Sequence, residues 1–335
     1  MLAMILAAAL SADPPGEPIV GVAITQANGE DFPSALEAAR VAGMRSVSLP
    51  LKWSDVEVTP GRFAPDPDWL AVAAASYPQF GVHCCLELNP IDTNTVCVPE
   101  DLAGQAWDDP AVIRRYLAAL DWVLDHTGEL SVPSLALGNE VDCSLATAVE
   151  VAAYARLVRA AREHVARRNP EMLCGAKITY GGLTGPLQDE LLKLVGEGNV
   201  SLVTYYPLRP DFTVRPPNVV EGELTALLEA LPAGPVQFAE IGYPSGAACG
   251  SSPQKQAEFV GEAFDFWRRN DDRVGLMMFT WLSDISEAEA REYAGYYRIP
   301  NPAFEAYLAT LGLRTHGGRP KPAYKRLKAE AARGL

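Results

Sequence analysis

Two apolar patterns alternate along the chain. Eight short apolar runs recur: IVGVAIT (19–25), SVSLPL (46–51), GVHCCLELN (81–89), SLALGN (134–139), LCGAKITY (173–180), VSLVTYY (200–206), VQFAEIG (236–242) and VGLMMFTW (274–281). Each has the length of a buried strand. Between them lie stretches with apolar residues at i, i+3 and i+4, the spacing of a helix with one buried face. DDPAVIRRYLAALDWVLDHTG opens on an Asp-Pro start signal. SLATAVEVAAYARLVRAAREHVARRN is rich in Ala and Arg and is followed by Pro170. SPQKQAEFVGEAFDFWRRN opens on Ser-Pro and closes on arginines, which suit the negative end of a helix dipole. Strand and helix in eightfold alternation predict an α/β fold, a single-domain (β/α)8 TIM barrel. The alternative, an open doubly wound sheet, calls for a Gly-rich phosphate loop after an early strand. ITQANGEDF lacks that pattern, and no linker or repeat divides the chain.

In such a barrel, the side chains that do chemistry collect at the C-terminal ends of the strands. The fourth run ends in Gly138-Asn139-Glu140, and the seventh runs into Glu240. A carboxylate at a buried strand end is costly unless it is paired or used. Either glutamate alone reads equally well as a salt-bridged loop acid. Two on one rim suit glycoside hydrolysis, in which one carboxyl group is the acid and the other the nucleophile or base. Their surroundings must then set their pKa values apart.

Length and charge narrow the partners. The chain has 335 residues, 48% of them hydrophobic, enough for a large core. A formal net charge of −14 repels nucleic acid and anionic membranes, so neither is expected as a partner. No apolar run reaches the length of a membrane span. The N-terminus MLAMILAAALSADPPGEP carries an apolar run, Leu2 to Leu10, followed by Ser11-Ala12. This resembles the apolar region and cleavage site of a signal peptide, although the basic first region is missing. Residues 1–12 are expected to be such a peptide and 13–335 the catalytic barrel, secreted or periplasmic. If the segment is only an extension, the protein is cytoplasmic. A monomer is expected.

Of six cysteines, Cys84 and Cys174 fall in apolar runs and read as buried thiols. Cys97 and Cys143 follow the third and fourth strands in polar loops. An oxidising compartment would allow them to pair. The four histidines are scattered and no Cys-x-x-Cys occurs, so no metal site and no cofactor is predicted.

Strand parity adds a buried pair. His83, Cys85, Glu87 and Asn89 share one face of the third strand, and the apolar set between them should face the helices. Glu87 then points into the barrel and needs a partner, and Asn89 near the rim is placed to reach a sugar hydroxyl. Lys177 shares parity with Gly175 and Thr179 on the fifth strand and should also point inward. A structural Glu87–Lys177 ion pair beneath the site is predicted. The rival partners are His83 or a strand-1 group for Glu87 and solvent for Lys177.

Several motifs together are similar to the clan A glycoside hydrolases, retaining 4/7 barrels. They are GNE at the end of strand 4, Glu240 at the end of strand 7 and WSDVEVTPGRF (53–63) after strand 2. Trp281 at the end of strand 8 and GLRTHGGRPKPAYKRLKA (312–329) complete the set. TYYPL and EIGYPSG resemble the endo-β-1,4-galactanases and β-1,3-glucanases of that clan. The resemblance implies a retaining hydrolase of β-linked glycans, with Glu140 as acid/base and Glu240 as nucleophile. Asn139 would bind the sugar 2-hydroxyl, Tyr206 would donate to Glu240, and Trp281 would be a sugar platform, with Trp53 also at the substrate. Tyr205 is the rival for the role of Tyr206. The chain departs from the clan at strand 2, where many members carry an arginine that supports the nucleophile. Ser48 stands at the corresponding place, with Lys52 nearby. A non-catalytic carbohydrate-binding barrel and a transglycosylase remain the alternatives.

Overall fold

The computed structural model describes residues 18–334, so the expected signal peptide lies outside the described residues. Among these, eight strands close a parallel barrel. They are β1 (Ile19–Ala23), β2 (Ser46–Lys52), β3 (His83–Asn89), β4 (Ser134–Ala136), β5, β6 (Ser201–Tyr205), β7 (Val236–Ile241) and β8 (Val274–Thr280). β5 is interrupted at Ala176 into Leu173–Gly175, which pairs with β4, and Lys177–Thr179, which pairs with β6. β8 pairs with β1, Ile19 opposite Leu276, and so closes the ring. This is the barrel that the alternation predicts.

The helices between the strands begin where the sequence signals fall. α1 (Phe32–Val41), α2 (Trp69–Ser76), α3 (Pro110–Asp125), α4 (Ala148–Arg168), α5 (Gln188–Val195), α6 (Val220–Ala230), α7 (Pro253–Arg269) and α8 (Pro322–Arg333) surround the sheet. Asp109 caps α3 by accepting from the Ala111 N–H, and Ser252 caps α7 by accepting from the Lys255 N–H. Thr147 and Glu150 cap α4 reciprocally.

Two apolar regions follow from strand alternation. Cys84, Leu86 and Leu88 of β3 lie in the large outer core with helix residues such as Tyr116 and Leu120. Cys85, Leu276 and Met278 form a small inner cluster. Gly21 of β1 leaves room for Met278, because a Cβ at Gly21 would lie 2.6 Å from the Met278 sulfur.

After β8 the chain makes an excursion through helices Glu287–Tyr296 and Pro302–Leu308, then returns through Leu311 and Gly312 to α8. Gln256 of α7 holds that return. It is buried, and its Nε2 is shared among the carbonyls of Tyr243 (2.8 Å), Leu311 (3.0 Å) and Gly312 (3.1 Å). Gln256→Leu removes the donor from buried carbonyls and should cost about 1–3 kcal/mol, measured by urea unfolding. An unchanged midpoint would mean that Lys321, whose amine also reaches the Gly312 carbonyl at 2.7 Å, suffices alone.

Candidate active site

The turn after β4 is shaped by Gly138. Its φ is +102°, and a Cβ there would lie 2.3 Å from the Tyr154 hydroxyl. Tyr154 in turn donates to the Leu137 carbonyl at 2.8 Å. The sequence extends this strand to Asn139; the regular strand ends at Ala136, and the backbone turns at Gly138 while still bonding to its neighbours through the Leu137 and Asn139 N–H groups. Glu140 follows in the left-handed region, φ 44° and ψ 47°. Such a conformation costs a non-glycine residue about 1–3 kcal/mol and persists only where the surroundings fix it. Two hydroxyls do so: Thr204 donates to Glu140 Oε1 at 2.7 Å and Thr93 to Oε2 at 3.0 Å.

Glu240 reaches the interior through a β-bulge. Along β7, Phe238 and Ile241 both lie in the outer core, whereas Ala239 packs in an inner cluster with Leu202 and Ala136. The register with β6 slips by one residue there, from Val203 opposite Phe238 to Thr204 opposite Glu240. Strict alternation would aim Glu240 at the helices; the extra residue turns it inward. Its Oε2 accepts from the Tyr206 hydroxyl at 2.6 Å and its Oε1 from the Lys177 amine at 3.1 Å. Lys177 also donates to Glu87 Oε1 at 2.6 Å, so the expected Glu87–Lys177 pair is present. Its extension to Glu240 was not anticipated. Glu240 keeps a quarter of its side chain open to solvent (26%).

The other expected residues divide. Asn139 sits beside Glu140 and donates to Asp92 Oδ1 at 2.9 Å, with its own Oδ1 buried and unpaired. Trp281 is half-buried at the end of β8, 5.9 Å from the Tyr293 ring. Tyr205 points away from the barrel to Glu223 of α6, at 2.8 Å, which leaves Tyr206 as the partner of Glu240. Asn89 is wholly buried, donates to Glu87 Oε2 at 3.2 Å and has an unpaired Oδ1. It therefore lies in the floor of the site, with no surface at the rim. Trp53 is a correction as well. It is fully buried against Tyr116, and its indole N–H goes to Glu57 Oε2 at 2.9 Å. Glu57 also takes Gly61 N–H at 2.7 Å and Arg115 at 2.8 Å, so the WSDVEVTPGRF motif folds on an internal carboxylate. The Cys97–Cys143 bridge is not formed: both thiols are free, Cys97 buried and Cys143 exposed.

The two carboxyl groups have different surroundings. Burial, and then the nearby charge of Glu240, push Glu140 up to about 7. Burial and the Glu240 charge likewise hold the Tyr206 phenol protonated, well above its ordinary value. Burial alone would lower Lys177; the charges of Glu87 and Glu240, with their hydrogen bonds, outweigh it and raise it. Glu140 thus holds its proton well above the usual carboxylate range, while Glu240 receives an ammonium and a phenol.

A cavity of about 910 Å³ opens at the opposite end of the barrel, among Val20, Met44, Phe80 and Val82. Its described lining holds one carboxylate, Glu129. The paired carboxyl groups are at the C-terminal rim, where barrel chemistry is found.

The fold and rim define the chain as a (β/α)8 barrel of the kind seen in glycoside hydrolases. No family model matches the sequence, and no curated protein matches it. Solved structures do. GH5_18 from Streptomyces cattleya, a variant in complex with Manβ1-4GlcNAc, is 15% identical over 94% of this chain and 80% of its own, with a TM-score of 0.73. The exo-β-1,4-mannosidase Op5Man5 from Opitutaceae bacterium strain TAV5 is 16% identical, over 97% of this chain and 62% of its own (TM-score 0.71). A family 39 glycoside hydrolase from Bacteroides cellulosilyticus WH2 is 16% identical, over 95% and 64% (TM-score 0.63). At these identities the likeness establishes the fold.

Four contributors were missed from sequence. Thr204 had a signal, since it shares parity with Tyr206 on β6. Asp92 and Thr93 lie in a short hairpin after β3, and Tyr296 ends a helix of the excursion after β8. The sequence does not show that these two segments meet over the rim. Tyr296 donates to Asp92 Oδ2 at 2.6 Å and so steadies the carboxylate that holds Asn139.

The buried indole gives a direct test. Trp53→Phe should cost about 1–3 kcal/mol by leaving Glu57 one donor short. Glycan affinity, measured by calorimetry on the folded variant, should not change. A loss of affinity without a loss of stability would return Trp53 to the cleft.

Proposed function

We propose that the protein is a retaining β-glycosidase with Glu140 as acid/base and Glu240 as nucleophile. The observation that carries the reading is the asymmetry of the pair. Among the described residues Glu140 has two hydroxyl donors and holds a proton up to about 7, whereas Glu240 faces Lys177 and Tyr206. In the first step Glu240 attacks the anomeric carbon while Glu140 gives its proton to the departing glycosidic oxygen. In the second, Glu140 takes a proton from water, the water oxygen bonds to the anomeric carbon, and Glu240 leaves. Asn139 is proposed to contact the 2-hydroxyl and Trp281 to carry a sugar face.

The substrate proposed first is a short β-mannoside. The motifs resemble galactanases and β-1,3-glucanases, but the similar structures include a β-1,4-mannosidase and a complex with Manβ1-4GlcNAc. A panel of β-mannosides, galactans and β-glucans, with product anomer followed by NMR, tests both class and stereochemistry. Release of no sugar from any of them leaves a binding barrel; a first-formed α-anomer overturns the retaining mechanism.

Glu240→Gln should abolish turnover in a folded protein. Glu140→Ala should retain activity on aryl glycosides with good leaving groups, and azide should raise it. The rate needs protonated Glu140, so kcat/KM should fall as pH rises through about 7. That limb should vanish in Glu140→Ala. Equal, unrescued loss in both variants would undo the division of roles.

A further inference from the structure

Strand 2 lacks the arginine that the resemblance leads one to expect, yet Glu240 has a cation. Ser48 is uncharged, and Lys52 is turned away, its amine 4.5 Å from the centre of the Tyr296 ring. The cation arrives from strand 5. We infer that Lys177 is a positioning residue for Glu240, orienting its carboxylate through a direct charge contact. The inference rests on the proposed role of Glu240 as nucleophile.

The geometry makes Lys177 more than a partner for Glu87. Its side chain is 1% exposed, so water cannot serve its three N–H donors. One goes to Glu87 Oε1 at 2.6 Å and another to Glu240 Oε1 at 3.1 Å. Glu87 is itself anchored by Asn89 on the same strand. The ammonium is thereby fixed from below, and a fixed ammonium fixes the oxygen it donates to. With Tyr206 on Oε2, both oxygens of Glu240 are tied, one from β5 and the other from the residue that follows β6. The charged or titratable groups about Glu240 are Glu87 on β3, Glu140 after β4, Lys177 on β5 and Tyr206 after β6. Tyr297 and Tyr307 come from the excursion after β8. Lys177 is the one cation in this set.

The test separates positioning from mere structural pairing by the sign of its effects. Glutamate labelled with 13C at the side-chain carboxyl gives a signal for Glu240, assigned by its loss in Glu240→Gln. Lys177→Met should raise the titration midpoint of Glu240 by about one to three pH units, the effect of removing an adjacent opposite charge. Glu87→Gln breaks the same pair but leaves Lys177 to Glu240 alone, so the midpoint should hold or fall. Should Lys177→Met fail to fold, the double variant Glu87→Gln/Lys177→Met strands no charge and should still show the raised midpoint. A midpoint that does not rise in the folded variant lacking Lys177, or that moves alike in Glu87→Gln and Lys177→Met, overturns the inference. In turnover, the acidic limb of kcat/KM should move with the NMR midpoint. A wild type that cleaves no glycoside would sink the proposed activity, while the NMR shift would still support the hold of Lys177 on Glu240.

Discussion

One buried ammonium governs the chemistry at the centre of this barrel. Lys177 is closed off from water and bonded to two carboxylates, Glu87 and Glu240. A third carboxyl group, Glu140, is close enough to feel the charge of Glu240. One cation cannot neutralise three anions in a region of low dielectric, and the cheapest relief is a proton on the group that lacks a cation. Glu140 is that group. The different tasks proposed for the two glutamates are therefore one electrostatic fact seen from two sides.

The backbone has to bend twice to make that arrangement. At β4 it turns at Gly138, a position restricted to glycine by its positive φ and by Tyr154, which occupies the space where a side chain would lie. Glu140 is then turned in the left-handed region until two threonines reach it. At β7 the slip at Ala239 places two consecutive residues on the interior side. Thr204 connects the two bends. It lies opposite Glu240 in the sheet and donates to Glu140, so a displacement of either glutamate is felt by the other through one side chain.

Periodicity carried the reading of the chain a long way, and its failures share a cause. The barrel, the inward direction of Glu87 and Lys177, and the rim position of Glu140 follow from period-two alternation and strand ends. Glu240 was chosen for its place at a strand end. Parity alone would have aimed it outward, and the bulge that corrects this leaves no mark in VQFAEIG. The motif suggests Trp53 as a substrate contact; its actual partner, Glu57, lies within the same motif, and only the fold of the short hairpin reveals the contact. Asn89 has the right parity and ends β3, but it is covered, and alternation says nothing about what lies above a strand end. Asp92 and Thr93 come from a short hairpin after β3 and Tyr296 from the end of a helix in the excursion after β8, and how these segments fold back over the rim depends on contacts distant in sequence.

The missing strand-2 arginine has a second consequence, on the other side of the cleft. With Glu240 served from β5, the strand-2 cation is free for other work. Lys52 lies over the ring of Tyr296. Tyr296 donates to Asp92, and Asp92 accepts from Asn139, the neighbour of Glu140. A cation over an aromatic face is attracted to the ring by its quadrupole, so Lys52 holds the tyrosine that holds the aspartate. The two lysines thus act behind opposite members of the carboxyl pair, Lys177 through a direct charge contact and Lys52 through a relay of three side chains. A guanidinium at position 48 would bring a second cation to the set that Lys177 already serves. The extra positive charge would favour ionised Glu140 as well as ionised Glu240, and so narrow the difference on which their separate roles depend.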